Sequence, residues 1–261
     1  MTWWEGVILG VVQGLTEFLP VSSSGHLVVA EAALRLRTPG VFVEVVLHVA
    51  TLAAVALVYA RRIGELTVGL VTGDRGAARS VGLLLVASVP AGVIGLALRD
   101  AFQAAFDSLA LVGADFLVTG VILWVAGRAV PGDRPEPTVR SAIGIGCAQA
   151  LAILPGISRS GSTVAAGIFA KVDPVRAAEF SFLMAVPAIA GAAILQLPEA
   201  REAAVGIGLG TLALSFFTAL VSGVFAIRLL VRLLARRAFH RFAPYCWAIG
   251  IGTLAWSIWR P

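Results

Sequence analysis

Charge is what this chain has least of. Only 13% of its residues are Asp, Glu, Lys or Arg, about half the roughly 25% usual in a soluble domain. Long polar stretches are missing too. The widest gaps between apolar runs, around 61–79 and 128–140, are too short to fold as a soluble domain. Cysteine is nearly absent: Cys147 and Cys246 both lie in apolar runs, which reads as helix packing and speaks against a disulfide or metal role. The opening MTWWEG has no basic residue and no cleavage-site pattern, so no removable signal peptide is expected. A net charge of +5 is the one feature that hints at nucleic acid. Membrane topology already explains it, because the arginines flank apolar runs, and no nucleic-acid partner is expected.

What remains is a chain that is 59% hydrophobic over 261 residues. Six apolar runs approach the roughly 20 residues that a bilayer requires: Gly40–Tyr59, Val81–Leu98, Leu109–Gly127, Val175–Leu197, Gly206–Leu230 and Pro244–Ile258. Two further blocks, Trp3–Leu36 and Ser141–Lys171, are each broken in the middle by a Pro/Gly/Ser cluster. Their halves are too short to cross, so each reads as a re-entrant hairpin. The blocks are also related. Shifted by 136, Gly10–Ala30 matches Gly146–Ala166 at 8 of 21 positions, including Gly10, Gln13, Ser22, Ser24 and Gly25. One hairpin plus three spans per half makes the second half enter the membrane upside down. The expectation is an all-α integral membrane protein in one domain: six transmembrane helices plus two re-entrant helical hairpins arranged as an inverted-topology repeat, about 1–130 and about 139–261.

Charge counting orients this arrangement. Fourteen basic residues fall on one side, Arg61, Arg62, Arg128 and Arg241 among them, and five on the other: Arg35, Arg37, Arg99, Arg201 and Arg260. The rich side faces the cytoplasm, which puts both termini outside and makes an outer aromatic belt of Trp3, Trp4, Trp256 and Trp259. Arg159 alone among the 20 basic residues has no loop to occupy.

The polar residues concentrate at the two breaks, QGLTEFLPVSSSGH (Gln13–His26) and QALAILPGISRSGST (Gln149–Thr163). Polar groups at membrane depth are costly unless paired or used. Gln13 and Glu17 are four apart and share a helix face. Ser22, Ser23 and Ser24 fit a turn and N-cap, and His26 follows three after Ser23. In the second hairpin Ser158, Arg159 and Ser160 precede an outgoing half-helix, with Thr163 one turn in. Two helix N-termini with free amides and positive dipole ends would converge on an anion, and the Arg159 guanidinium suits a phosphate. The Glu17 carboxylate would repel a bare phosphate. A bridging Mg²⁺ or Ca²⁺ held by Glu17 and Gln13 removes that conflict. Ser23 or His26 can attack phosphorus, or His26 can act as acid or base for a serine or a water; spacing does not choose among them. Ser22, Ser24, Gly25, Ser158, Arg159, Ser160 and Thr163 complete the expected phosphate cradle. His48 is equally an interhelical hydrogen-bonder or a site residue. Glu44 and Asp115 are assigned to span ends or arginine pairs, Glu179 to packing or a minor site role, and His240 to the surface.

These motifs resemble the bacterial undecaprenyl-diphosphatase, or bacitracin-resistance, family over nearly the whole chain. The resemblance rests on QGLTEFLPVSSSGH, on LHVATLAAV (Leu47–Val55) and on LPGISRSGST (Leu154–Thr163). Gln13 stands where the family has Glu or Gln, and Ser24 where Thr is common. The resemblance implies a metal-dependent phosphatase of the bacterial inner membrane whose site opens to the outer face. It would hydrolyse undecaprenyl diphosphate to undecaprenyl phosphate and phosphate, recycling the carrier lipid of peptidoglycan synthesis. The prenyl tail would stay in membrane lipid, and bacitracin would compete for the substrate. A lipid-carrier flippase on the same inverted repeat is the alternative; a purely structural scaffold leaves Arg159 without a purpose. The 28 glycines are compatible with a homodimer.

Overall fold

The computed structural model describes residues 1–34, 40–203 and 208–259. Among them the chain is helical throughout, with one isolated parallel bridge between Arg134 and Val172. The first break separates α1 (Trp3–Phe18) from α2 (Ser23–Leu34). Then follow α3 (Gly40–Val58), α4 (Ala60–Thr72), α5 (Arg75–Ala97), α6 (Arg99–Phe106) and α7 (Leu109–Ala126). The second break separates α8 (Val139–Leu151) from α9 (Arg159–Phe169), before α10 (Pro174–Ala203), α11 (Leu209–Ala235) and α12 (Ala243–Trp259). Helices α5, α7 and α11 are each long and apolar enough to cross a membrane, and α3 with α4 forms a fourth such unit bent by 78°. The chain is an integral membrane protein. Arg35, Arg37 and Arg260, on the sparsely charged side of the expected topology, lie outside the described residues, as does the start of the run expected from Gly206.

Local chemistry sets the helix boundaries. Thr2 opens α1 with a capping box in which its amide donates to Glu5 Oε2 at 2.7 Å. Asp74 caps α5 by accepting from the amides of Gly76 and Ala77, and Gly73 closes α4 at φ 76°, a left-handed turn open to glycine. Two further helices lie between the expected spans, α4 in the polar gap around 61–79 and α6 between Leu98 and Leu109. In α4 the side chains of Arg61 and Glu65 pair at 2.9 Å while Leu66 turns inward. The short α6 is likewise amphipathic and offers no long apolar run.

The helices pair in a crossed pattern. The first arm of hairpin one, α1, lies along α11, and the first arm of hairpin two, α8, lies along α5. Helix α3 meets α10, and α7 meets α12. Glycines set the closeness of the two crossed contacts. A Cβ on Gly10 would overlap Thr218 Oγ1 and the Ser215 carbonyl of α11; one on Gly146 would overlap the Ala87 carbonyl and Pro90 of α5. Gly10 and Gly146 are partners in the 136-residue repeat, so one residue type at one register brings both pairs of backbones together. Beneath the two breaks sits a core of Phe18, Leu123, Val164, Phe182, Ile227 and Leu230, with Phe18 edge-on to Phe182 at 5.4 Å.

Away from that core, Arg62 pairs with Glu179 at 3.1 Å and Glu136 at 3.5 Å, Arg176 pairs with Glu179 at 3.1 Å, and Ser80 donates to Glu136. These groups surround a separate cavity of about 210 Å³. Glu179 belongs to this ion-pair network, joining α4, α5 and α10. His240 is half-buried rather than on the surface, edge-on to Trp124 at 6.3 Å. Both cysteines are free, and Cys246 is buried.

The glycine contacts make a stability prediction. Gly10→Val and Gly146→Val should each lower stability by about 1–3 kcal/mol, the usual cost of overpacking. Gly82→Val should be near neutral, because a Cβ there meets nothing within 4 Å. Thermal unfolding in detergent tests the contrast.

Candidate functional site

Proline ends the first arm. Leu19 precedes Pro20 and is held extended (φ −66°, ψ 144°), as the proline ring demands of its predecessor. The chain then reverses at Ser22, which adopts φ 69°, and α2 begins at Ser23. Ser22 acts as the N-cap: its Oγ accepts from the Gly25 amide at 3.3 Å. In the second hairpin Gly156 makes the turn at φ 106°, a conformation open to glycine. Ser158 caps α9 by accepting from the Gly161 amide at 3.0 Å. The two breaks thus repeat their capping bonds as they repeat their sequence.

The breaks meet. Ser22 Oγ also accepts from the Gly156 amide at 3.1 Å, and Ser160 Oγ donates to the Leu19 carbonyl at 3.2 Å. A Cβ on Gly25 would lie 2.9 Å from Gly156 Cα, so Gly25 is there for close approach. Helix α7 grips the second turn through Thr119: its Oγ1 donates to the Gly156 carbonyl at 2.8 Å and accepts from the Ser158 amide at 3.0 Å.

Between the breaks lies a cavity of about 150 Å³. One wall is polar, with Thr16, Glu17, Ser22, Ser23, Ser24, His48, Ser158 and Arg159; the other is Ala152, Ile153 and Ile157. Glu17 is its centre. Oε1 accepts from the Arg159 guanidinium. Oε2 accepts from Ser23 Oγ at 2.7 Å and Gln13 Nε2 at 3.0 Å, and His48 Nε2 stands 4.0 Å away. Glu17 is 7% exposed, so its charge is balanced by Arg159 rather than by water. The arrangement presents a hydroxyl to a carboxylate, with a guanidinium beside it and the first residues of α2 and α9 lining the same cavity.

The expected residues divide. Gln13, Glu17, Ser22, Ser23, Ser24, Ser158 and Arg159 come together at or directly behind the cavity. Ser160 and Thr163 are 1% exposed and brace the walls, Thr163 through a 2.6 Å bond to Ser181 Oγ. His26 does not share the face of Ser23. Its Nδ1 meets the Ser22 carbonyl at 2.7 Å and its Nε2 the Tyr245 hydroxyl at 2.8 Å, on the α12 side of the turn. A helix starting at Ser23 allows either orientation; packing against Phe116 and Tyr245 selects this one. His48, ambiguous in sequence, lines the cavity. Asp115 is no span-end residue: it is buried, with its Cβ against Gly156. Thr119, Ser181 and Tyr245 had no signal, since a lone hydroxyl in an apolar run is ordinary.

A search of protein families matches residues 6–252 to the family described as bacitracin resistance protein BacA. The undecaprenyl-diphosphatase of Desulforapulum autotrophicum is 41% identical over 268 residues, covering 96% of this chain and 97% of the relative. That of Alkaliphilus metalliredigens is 38% identical, covering 99% and 100%, and that of Syntrophotalea carbinolica 40%, covering 96% and 97%.

Thr119→Val keeps the shape but removes both hydrogen bonds to the second turn, leaving a buried carbonyl and a buried amide without partners. We expect a loss of about 1–3 kcal/mol, read as a lowered unfolding midpoint, with Thr119→Ser losing less.

Proposed function

The chain belongs to the BacA family of bacitracin resistance proteins, and on that premise we propose that it hydrolyses undecaprenyl diphosphate to undecaprenyl phosphate and inorganic phosphate. It is a membrane phosphatase that recycles the lipid carrier of peptidoglycan synthesis. The observation that carries the chemistry is the convergence of Ser23, Glu17 and Arg159 on one cavity, although Glu17 and Arg159 are 142 residues apart.

Ser23 is the nucleophile in this reading. Its hydroxyl already donates to Glu17 Oε2 at 2.7 Å, the reach a general base needs. Glu17 takes the proton as Ser23 Oγ attacks the terminal phosphorus, and undecaprenyl phosphate leaves. Glu17 gives up that proton to solvent, then takes one from the water that displaces the serine from phosphorus, and returns it to Ser23 Oγ as inorganic phosphate leaves. Arg159 turns its guanidinium to the phosphate oxygens, where fixed donors stabilise the charge of the transferring group. First-turn amides of α2 and α9 add to it. His26 fits the attacking role less well, because both ring nitrogens are engaged outside the cavity. The apolar wall of Ala152, Ile153 and Ile157 suits the start of a prenyl chain whose remainder stays in lipid.

The donors fit a hard divalent cation, Mg²⁺ or Ca²⁺. Gln13 Oε1 is a buried oxygen without a hydrogen-bond partner, one turn from the Glu17 carboxylate. Among the described residues no group of three His, Cys, Asp or Glu side chains offers a complete cage, so substrate oxygens would fill the remaining positions, as Mg²⁺ commonly has it. Gln13 and Glu17 would hold the ion, which would neutralise charge on the diphosphate.

The finer topology is part of the same proposal: six spans and two re-entrant hairpins in an inverted repeat, in the inner membrane, termini and cavity toward the outer face. The crossed pairing of α1 with α11 and α8 with α5 supports it, as do the matched capping bonds. Bacitracin competes for the substrate by sequestering it. The flippase alternative draws no support from the three relatives, each named as a phosphatase.

Purified protein should release phosphate from undecaprenyl diphosphate, and EDTA should abolish release until Mg²⁺ or Ca²⁺ is restored. Ser23→Ala, Glu17→Gln and Arg159→Ala should each lower kcat/KM at least a hundredfold. Near-normal turnover in any of them would refute the assignment.

A further inference from the structure

His26 sits among the site motifs yet faces away from the cavity, and what it touches explains why. A carbonyl oxygen only accepts, so the 2.7 Å contact between His26 Nδ1 and the Ser22 carbonyl places the proton on Nδ1. In the neutral ring Nε2 is then an acceptor, and the Tyr245 hydroxyl donates to it at 2.8 Å. The two rings are nearly parallel, 2° apart in plane with centroids at 5.7 Å. Ser22, whose carbonyl His26 holds, has a left-handed φ of 69°, a conformation non-glycine residues keep only when their surroundings enforce it. The next residue is Ser23.

We propose that Tyr245 is a positioning residue for phosphoryl transfer: its hydroxyl fixes the His26 tautomer whose Nδ1–H braces Ser22, and so sets the turn that presents Ser23 Oγ to Glu17. The inference rests on Ser23 as the reacting hydroxyl. A second contact from the same helix supports it: the neighbouring Cys246 thiol reaches the Pro20 carbonyl at 3.7 Å, so α12 holds this turn at two points. The opposite turn is held in a matching way, by Thr119 of α7. Helices α7 and α12 are the last of their respective halves, and each secures the turn of the other half. Tyr245 is 46% exposed, so burial of its ring does not account for it; the hydroxyl does.

The test is Tyr245→Phe, which deletes one oxygen and keeps the stacked ring. With undecaprenyl diphosphate in detergent, kcat should fall about tenfold, the scale of one lost hydrogen bond, with KM changed less than twofold. ¹⁵N-histidine spectra give an activity-free readout among only three histidines. At neutral pH the wild-type His26 should show a protonated Nδ1 and a bare Nε2, and Tyr245→Phe should shift it toward a mixture of tautomers. An unchanged kcat, unchanged His26 shifts in the variant, or the opposite tautomer in the wild type would each overturn the proposal. The wild-type spectrum decides even if the variant folds poorly. Activity surviving in Ser23→Ala would overturn it through the reading beneath it, and is told apart because the His26 shifts would still move in Tyr245→Phe.

Discussion

The ion pair between Glu17 and Arg159 is the constraint around which the molecule is arranged. Neither charge is tolerable alone in a chain this apolar, since an uncompensated ion at membrane depth costs several kcal/mol. The partners come from different halves of the sequence, so the pair exists only when both breaks reach the same place. That requirement explains the glycines at the crossed helix contacts, which let α1 and α8 approach their supports closely enough for the turns to touch. It explains the bond from the Gly156 amide to Ser22 Oγ as well, which fixes the distance between the turns. In the proposed reaction a substrate phosphate replaces the carboxylate on Arg159, so that the resting pair is exchanged for substrate contact.

Much of this was written in the sequence because membrane chemistry is unforgiving. Any cluster of Glu, Ser, His and Arg within apolar runs must be paired or functional, so Gln13–His26 and Gln149–Thr163 mark a candidate site, and residues of both stretches line one cavity. The broken blocks and six long runs could be read from length, and each appears as helix in the described residues. Legibility ended where orientation around a helix decides the outcome. His26 and His48 are both single histidines in apolar helices; whether each faces the cavity depends on what packs opposite, Tyr245 for one and Glu17 for the other. The amphipathic α4 and α6 escaped because a charged gap between spans looks like a loop when only hydropathy is counted. Thr119 escaped for a subtler reason. A threonine in a helix ordinarily satisfies itself on the carbonyl one turn back, and only the irregular backbone at 156–158 gives it other work.

The irregular backbone is itself the second cost that the fold must offset. Buried turns carry amides and carbonyls that no water reaches, and such segments persist only where protein supplies partners. Here the partners are side-chain hydroxyls. Ser22 and Ser158 cap their helices, Ser160 satisfies the Leu19 carbonyl, and Thr119 satisfies both sides of the Gly156 turn. Several serines of the motifs are therefore structural at their oxygen atoms, and the richness in hydroxyls does not measure the number of catalytic groups. Ser23 is distinguished by bonding to a carboxylate instead of to backbone.

The repeat makes that distinction sharper. Ser22 matches Ser158, Ser24 matches Ser160, and Gly25 matches Gly161; the position between them is Ser23 in one half and Arg159 in the other. Both residues open an outgoing helix, and both side chains reach Glu17. A fully symmetric site would present two serines without a cation to draw a phosphate in, or two arginines without a nucleophile. Phosphoryl transfer needs one of each around the same phosphorus: a nucleophile opposite the leaving group with a base touching its hydroxyl, and a cation on the equatorial oxygens. The capping residues keep the symmetry that builds the two turns, while the divergent position between them, together with Glu17 in place of Ile153, supplies the asymmetry that the proposed reaction requires.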